Sequence, residues 1–222
     1  VLSSVFFIYL SGALSALHRV VGRQLQMCLR NSFRNMSDII YEIFLEYEKL
    51  VDFYLDIPEN RPITLDDLTF YLESVFDGLW SYRFFHRDLE YLLDSDQRLR
   101  QDYREFTNRC LAAISRIFEK LAEAGIIEPQ PEELRSAMSL NVWLVITNWM
   151  ACLKPAHASE ASASLTLTEL KQGIYQVLTL EIPYLTADYR EQVMTLREKY
   201  RPRLPDAADA SVSGQGEPIG NH

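Results

Sequence analysis

A chain of 222 residues that is 48% hydrophobic has enough apolar material for a real core, and its net charge of −9 is the wrong overall sign for a protein coated in nucleic acid. The cysteines Cys28, Cys110 and Cys152 are odd in number, widely spaced and without a CxxC pair, which argues against a disulfide framework or zinc site and for a reducing cytoplasm. Only 8 glycines are present, with no GxGxxG, no P-loop run and no GxSxG elbow, so nucleotide-binding enzymes and elbow hydrolases are poor readings.

The charge is uneven. Residues 1 to 37 carry Arg19, Arg23, Arg30 and Arg34 and no acid, a charge of +4 that leaves −13 on the remainder. The first 17 residues, VLSSVFFIYLSGALSAL, are apolar enough to suggest a signal or anchor. No cation precedes the run, serines interrupt it, and it falls short of the roughly 20 residues of a membrane span. Export or insertion is the lesser reading.

From Ser37 the text is helical. Ile40, Ile43, Phe44, Tyr47, Leu50, Val51 and Tyr54 recur at spacings of three and four, an apolar stripe that ends before the two prolines of IPENRPIT. A second helix starts at Thr64, where Thr64 and Asp67 resemble a capping box, and its stripe runs through Leu68, Tyr71, Leu72, Val75, Phe76 and Leu79. A shorter helix over 83–96 follows, then a long one from Gln97 to Gly125, a natural stop. Another runs from Glu132 until Pro155 ends it. A small, polar loop precedes a helix over 167–182, and a last helix ends near Tyr200. Residues 202–222 are poor in large apolar side chains and read as a disordered tail. No segment alternates like a strand, and no fixed repeat occurs. The body, 37–201, is therefore an all-α bundle of six or seven helices.

Catalytic signals are weak. His18, His86, His157 and His222 form no metal-binding pair, and no metal or cofactor is implied. On a continuous helix Glu90 would share a face with His86 and could polarise it, but no nucleophile stands nearby, so a half-buried or pocket-lining His86 is the preferred reading. The three cysteines fall on apolar faces and read as inert core thiols. Asp66, Asp67, Glu132 and Glu133 sit in first turns and offset the helix dipole. Aromatic density does stand out. Nine rings fall between Phe70 and Tyr103, with Trp143 and Trp149 on a later helix beside Asn141 and Asn148. Most must be core. An apolar cavity with a few polar groups is the default ligand site, here expected among Trp80, Phe84, Phe85, His86, Tyr103, Trp143 and Asn148.

The segment SFRNMSDIIYEIF resembles the end of the DNA-binding domain of TetR/AcrR-type regulators, whose recognition helix runs into a YxHFxNKxxL motif. Phe33 matches the motif Phe, Asn35 the Asn and Ile39 the Leu, while Arg30, Ser32 and Met36 stand where Tyr, His and Lys are usual. YRFFHRDLEYLLDSDQRLRQDY, LAEAGIIEPQPEELRSAMSL and GIYQVLTLEIPYL are similar to the sensor domain of one subgroup, so the resemblance covers roughly residues 33 to 200. It implies a homodimer whose C-terminal domains take a small, often apolar effector and so change the spacing of two helix-turn-helix heads. The helix ending near Leu153 and the helix over 167–182 would build the dimer, through Leu170, Ile174, Val177 and Leu178 with Met138 and Val142 opposite.

The head, residues 1–36, departs from that pattern. The 32 residues before Phe33 are about one helix short of a three-helix head. Within LSALHRVVGRQLQMCLRNSF, Gly22 would serve the turn and Arg19, Arg23, Gln24, Arg30, Arg34 and Asn35 the DNA. Leu25, Met27 and Leu29 stand where the family's recognition helix begins with small residues. A degraded head, a misplaced start and an upstream frame change all give this pattern. The leading expectation is a ligand-responsive, non-enzymatic, cytoplasmic transcriptional regulator with weak operator binding. The alternatives are a dimerising ligand-binding protein without DNA binding and a membrane-tethered sensor.

Overall fold

The computed structural model describes residues 36–157 and 165–202. The expected DNA contacts Arg19, Arg23, Gln24, Arg30, Arg34 and Asn35, the apolar run 1–17, Cys28 and the tail from residue 203 lie outside the described residues.

Helix α1, Met36–Tyr54, buries Phe44, Tyr47, Val51 and Tyr54 from the expected stripe. Helix α2, Leu65–Ser81, begins at the expected capping box. The Asp67 amide donates to Thr64 Oγ1 at 3.2 Å, and the Thr64 amide donates to the Asp67 carboxylate at 2.9 Å. Arg61 grips the same carboxylate at 2.6 Å and holds its pKa well below the usual range. Two of the first-turn amides thus gain side-chain or reciprocal partners, which fixes where the helix starts.

The helix expected over 83–96 is two, α3 (Arg83–Arg87) and α4 (Leu89–Ser95). At Asp88 the backbone leaves the helical region (φ −112°, ψ 15°), a conformation that a short polar side chain tolerates well. Asp96 then caps α5, Gln97–Glu123, by accepting from the amides of Arg98 and Leu99 at 2.9 and 3.2 Å. Helix α5 ends as expected: Gly125 takes a φ of +73°, and the Ile126 amide closes back on the Leu121 carbonyl at 2.9 Å.

Helix α6, Glu132–His157, does not stop at Pro155. A proline so near a C-terminus removes one helical hydrogen bond, and the last turn tolerates it. The helix expected over 167–182 breaks at Gln172 into α7 (Leu167–Lys171) and α8 (Gly173–Glu181), followed by a 3-10 turn, Ile182–Tyr184. A second capping box, Thr166 with Glu169, starts α7. Helix α9 spans Ala187–Glu198. Because two expected helices break, seven become nine α-helical segments among the described residues. Among the described residues the one β-like feature is an isolated antiparallel bridge between Ile127 and Leu185, which pins the turn after α5 to the turn before α9.

The core has two parts. The larger is built from α2, α5, α6, α7, α8 and α9 around Phe76, Phe118, Leu121, Leu170 and Leu178. The smaller joins α1, α3 and α5 around Phe44, Phe85 and Phe106, and Trp143 of α6 packs against both.

This arrangement corrects the expected dimer residues. Met138, Val142, Leu170, Ile174, Val177 and Leu178 are all at most 6% exposed and fill the protomer's own core. The large apolar side chains left outside on the same helices are Leu140, Leu144 and Leu180, exposed by 46, 49 and 38%. Helix α6 is apolar around much of its circumference, and by length and composition its Glu132–Leu153 stretch could even cross a membrane. A periodic stripe cannot say which side of such a helix faces inward.

The start of α8 shows how closely the larger core is fitted. A Cβ on Gly173 would lie 2.5 Å from the Phe76 ring and 2.7 Å from the Trp149 ring. Neither ring can retreat without disturbing the core, so Gly173→Ala is expected to cost about 1–3 kcal/mol in urea unfolding. Gly78→Ala is the control: its Cβ would meet nothing nearer than 3.7 Å, and it should be neutral or slightly stabilising.

Candidate functional site

Five of the eight buried residues of the smaller core are aromatic: Phe44, Tyr47, Tyr82, Phe85 and Phe106. Phe44 stacks on Phe85 with ring centres 5.8 Å apart and meets Phe106 edge-on at 5.9 Å. Tyr103 lies 6.0 Å from Phe44, and Trp143 presents an edge to Phe106 at 6.1 Å. Tyr47 closes the cluster against Tyr82, His86 and Phe106 at 5.0, 5.1 and 5.7 Å. Four helices, α1, α3, α5 and α6, thus contribute rings to one place. Tilted and edge-on pairs of this kind bring the positive rim of one ring to the negative face of another.

His86 is the polar exception. Part of the residue reaches the surface, but both ring nitrogens are enclosed and have no hydrogen-bond partner among the described residues. Burial pushes its pKa down to about 4. The imidazole is neutral at physiological pH, with an unused donor and an unused acceptor inside an apolar cluster. Glu90 does not polarise it, because the helix breaks at Asp88 between them. Cys110, at the edge of the cluster, is a buried free thiol whose pKa burial raises to about 12, an inert core cysteine as expected. Cys152 departs from that expectation and is exposed on α6.

Of the seven expected ligand residues, Phe85, His86, Tyr103 and Trp143 meet in this cluster. Three stand apart. Trp80 packs against the larger core with the Arg83 guanidinium 4.6 Å over its ring. Phe84 is 37% exposed. The Asn148 amide is exposed and donates to the Leu144 carbonyl at 3.0 Å. Helical periodicity explains the split: Phe84 and Phe85 point about 100° apart, so only one of them can face the cluster. Phe44, Tyr47 and Phe106, which complete the site, were legible only as members of core stripes.

A family model described as TetR, bacterial transcriptional repressor, matches residues 46–193, two thirds of the chain. The chain belongs to the TetR family. No curated protein matches it. The crystal structure of a TetR-family transcriptional regulator from Marinobacter aquaeolei VT8, at 2.49 Å resolution, is 82% identical over 78% of this chain and 81% of that one, with a TM-score of 0.73. The all-α architecture and the role of transcriptional regulator follow. TetR-family regulators generally are not enzymes, and they typically act as homodimers that bind operator DNA and small effectors.

His86 makes a prediction with a definite sign. Its folded pKa lies below the unfolded value, so the unfolded chain binds the extra proton first, and folding loses stability as pH falls from about 6.5 to about 4. The full contribution is on the order of 3 kcal/mol. Urea unfolding at both ends of that window should show His86→Phe losing less stability on acidification than the unaltered protein, by up to about that amount. Equal losses in the two proteins would show that the imidazole titrates freely.

Proposed function

We propose that this TetR-family regulator is a homodimeric repressor whose effector is a small apolar or aromatic molecule bound at the ring cluster of α1, α3, α5 and α6. One observation carries the reading: His86 keeps both ring nitrogens unpaired among rings that otherwise satisfy one another. A buried polar group without a partner costs about 1–3 kcal/mol, and a ligand that pairs with it recovers part of that cost. A single hydrogen-bonding group in an aromatic surround is the composition of an apolar ligand site.

The same cluster supports a route for the signal. Phe44 and Tyr47 belong to α1, the helix that follows the head in sequence. Nearer its start, α1 is bolted to the start of α5. Arg98 donates to Asp38 at 3.2 Å and lies 3.7 Å over the Tyr41 ring, while the Tyr41 hydroxyl donates to Asp102. That hydrogen bond is the main cause that raises the Tyr41 pKa to about 12. Farther along, Arg109 pairs with Glu48. An effector that pushes Phe44 or Tyr47 aside must tilt α1 against these anchors, and the tilt reaches the chain before Met36. The dimer would close over Leu140, Leu144 and Leu180, an apolar face that a twofold mate can bury.

A second reading, a dimerising ligand-binding protein without DNA binding, is favoured by the lettering of the head. Arg30, Ser32 and Met36 replace the motif Tyr, His and Lys, and the body carries −13. Arginines alone give phosphate contacts, which supply affinity without sequence preference. Titrating labelled promoter fragments at about 0.05 M and 0.2 M salt should therefore show weak binding with a steep salt slope and no preferred sequence. A selective complex that survives the higher salt would restore the working head.

For the effector site, thermal shift against a panel of apolar aromatic compounds should find stabilising members. Tyr103→Ala and Trp143→Ala should then weaken their binding by about tenfold or more while the domain still melts cooperatively. A packed core would instead lose about 3–5 kcal/mol on each truncation, with no compound raising Tm, and the reading would fail.

A further inference from the structure

A cavity of about 290 Å³ opens between α5, α6 and the end of α8, lined by Phe118, Met138, Asn141, Val142, Leu180 and Glu181 among others. None of its residues belongs to the aromatic cluster. Its walls are mostly apolar, and no Lys, Arg or His lines it. Glu181 is 3% exposed, and its Oε2 has no hydrogen-bond partner among the described residues. The residue ends α8, where the aligned peptide dipoles place partial negative charge beside the carboxyl group. A buried carboxyl group with one oxygen unpartnered at a helix C-terminus is doubly unfavourable when ionised, and a cation in the adjoining cavity relieves both terms.

We infer that this cavity binds a small amphipathic cation, an alkyl- or arylammonium, whose ammonium group meets the Glu181 carboxylate and whose apolar body lies on Phe118, Met138, Val142 and Leu180. The volume sits at the lower end of ligand pockets, roughly 300–1,000 Å³, and suits a fragment-sized molecule. Burial alone raises the Glu181 pKa to about 8, so the free site is largely neutral at physiological pH and ionises when a cation arrives. The site is independent of the effector proposal above, and either can fail without the other.

The test is calorimetric titration of the full chain with hexylammonium and with hexanol. At about pH 8.5 the carboxyl group is mostly ionised and an alkylamine still protonated, and about 0.15 M salt screens the acidic surface. Hexylammonium should saturate one site per protomer, with hexanol at least about tenfold weaker, since only the cation forms an ion pair with the buried carboxylate. Glu181→Gln should weaken hexylammonium by about tenfold and leave hexanol within about twofold, removing the preference. Equal affinity for amine and alcohol, or a Glu181→Gln variant that binds the amine as before, overturns the inference. So does the absence of saturable binding, the result expected if a mate's side chain fills the cavity in the dimer. Should Glu181→Gln fail to fold, Leu180→Trp supplies the second arm: it narrows the mouth from a partly exposed position, and undiminished amine binding there overturns the inference equally.

Discussion

Phe44 is the contact on which the placement of α1 depends. Fully buried, it holds α1 to α3 through Phe85 and to α5 through Phe106 and Tyr103. Helix α1 owes little to any neighbour outside this cluster except its packing along α2 and the ion pairs along α5. Those pairs are largely exposed, and such pairs contribute only about 0–1 kcal/mol each. Aromatic burial therefore sets where α1 sits, and the charged contacts set its register.

The polar economy of the interior sharpens the point. Buried hydroxyls find local partners, as when Ser139 donates to the Arg135 carbonyl at 2.8 Å. The Trp149 ring N–H reaches the Glu169 carbonyl at 3.4 Å and ties α6 to α7. Against this background the imidazole of His86 and the carboxyl group of Glu181 are exceptions. Among the described residues both His86 ring nitrogens and the Glu181 Oε2 lack a partner, and burial drives each group toward its neutral form. The two shifts have opposite linkage. The imidazole makes the fold less stable as pH falls from about 6.5 to about 4, and the carboxyl group makes it less stable as pH rises from about 4.5 to about 8. Together they nearly cancel between about pH 4.5 and 6.5 and place the optimum there, mildly acidic, with both groups uncharged in the folded state.

Family membership and site chemistry rest on different parts of the chain. The match over residues 46–193 covers the sensor body, where helix order and core composition are those of a TetR-family regulator. Residues 1–37 differ in charge, carrying +4 against the −13 of the remainder. A regulator can keep its ligand-sensing body under one set of packing constraints while the head answers to another. Both cores lie within the described residues: the larger holds α2 and α5 to α9 together, and the smaller is where α1 packs.

Local chemistry was enough, without tertiary structure, to place the helix starts and one stop. Thr64 with Asp67 specified the start of α2, Gly125 the end of α5, and the stripe through Phe44, Tyr47 and Val51 the inward face of α1. These depend on neighbours within a few residues, and that information is wholly in the sequence. The breaks at Asp88 and Gln172 were not legible, because neither residue forbids a helix and the choice was made by what the flanking segments pack against. Nor was the facing of α6: with apolar residues on most of its sides, only the positions of α5 and α8 decided that Met138 and Val142 turn inward and Leu140 and Leu144 outward. For the same reason the sequence named Phe85, His86, Tyr103 and Trp143 but could not separate them from Trp80, Phe84 and Asn148, nor bring Glu181 to a cavity. Periodicity says which residues share a face of one helix, whereas a site is made where faces of several helices meet, and that is decided by packing across long separations in the chain.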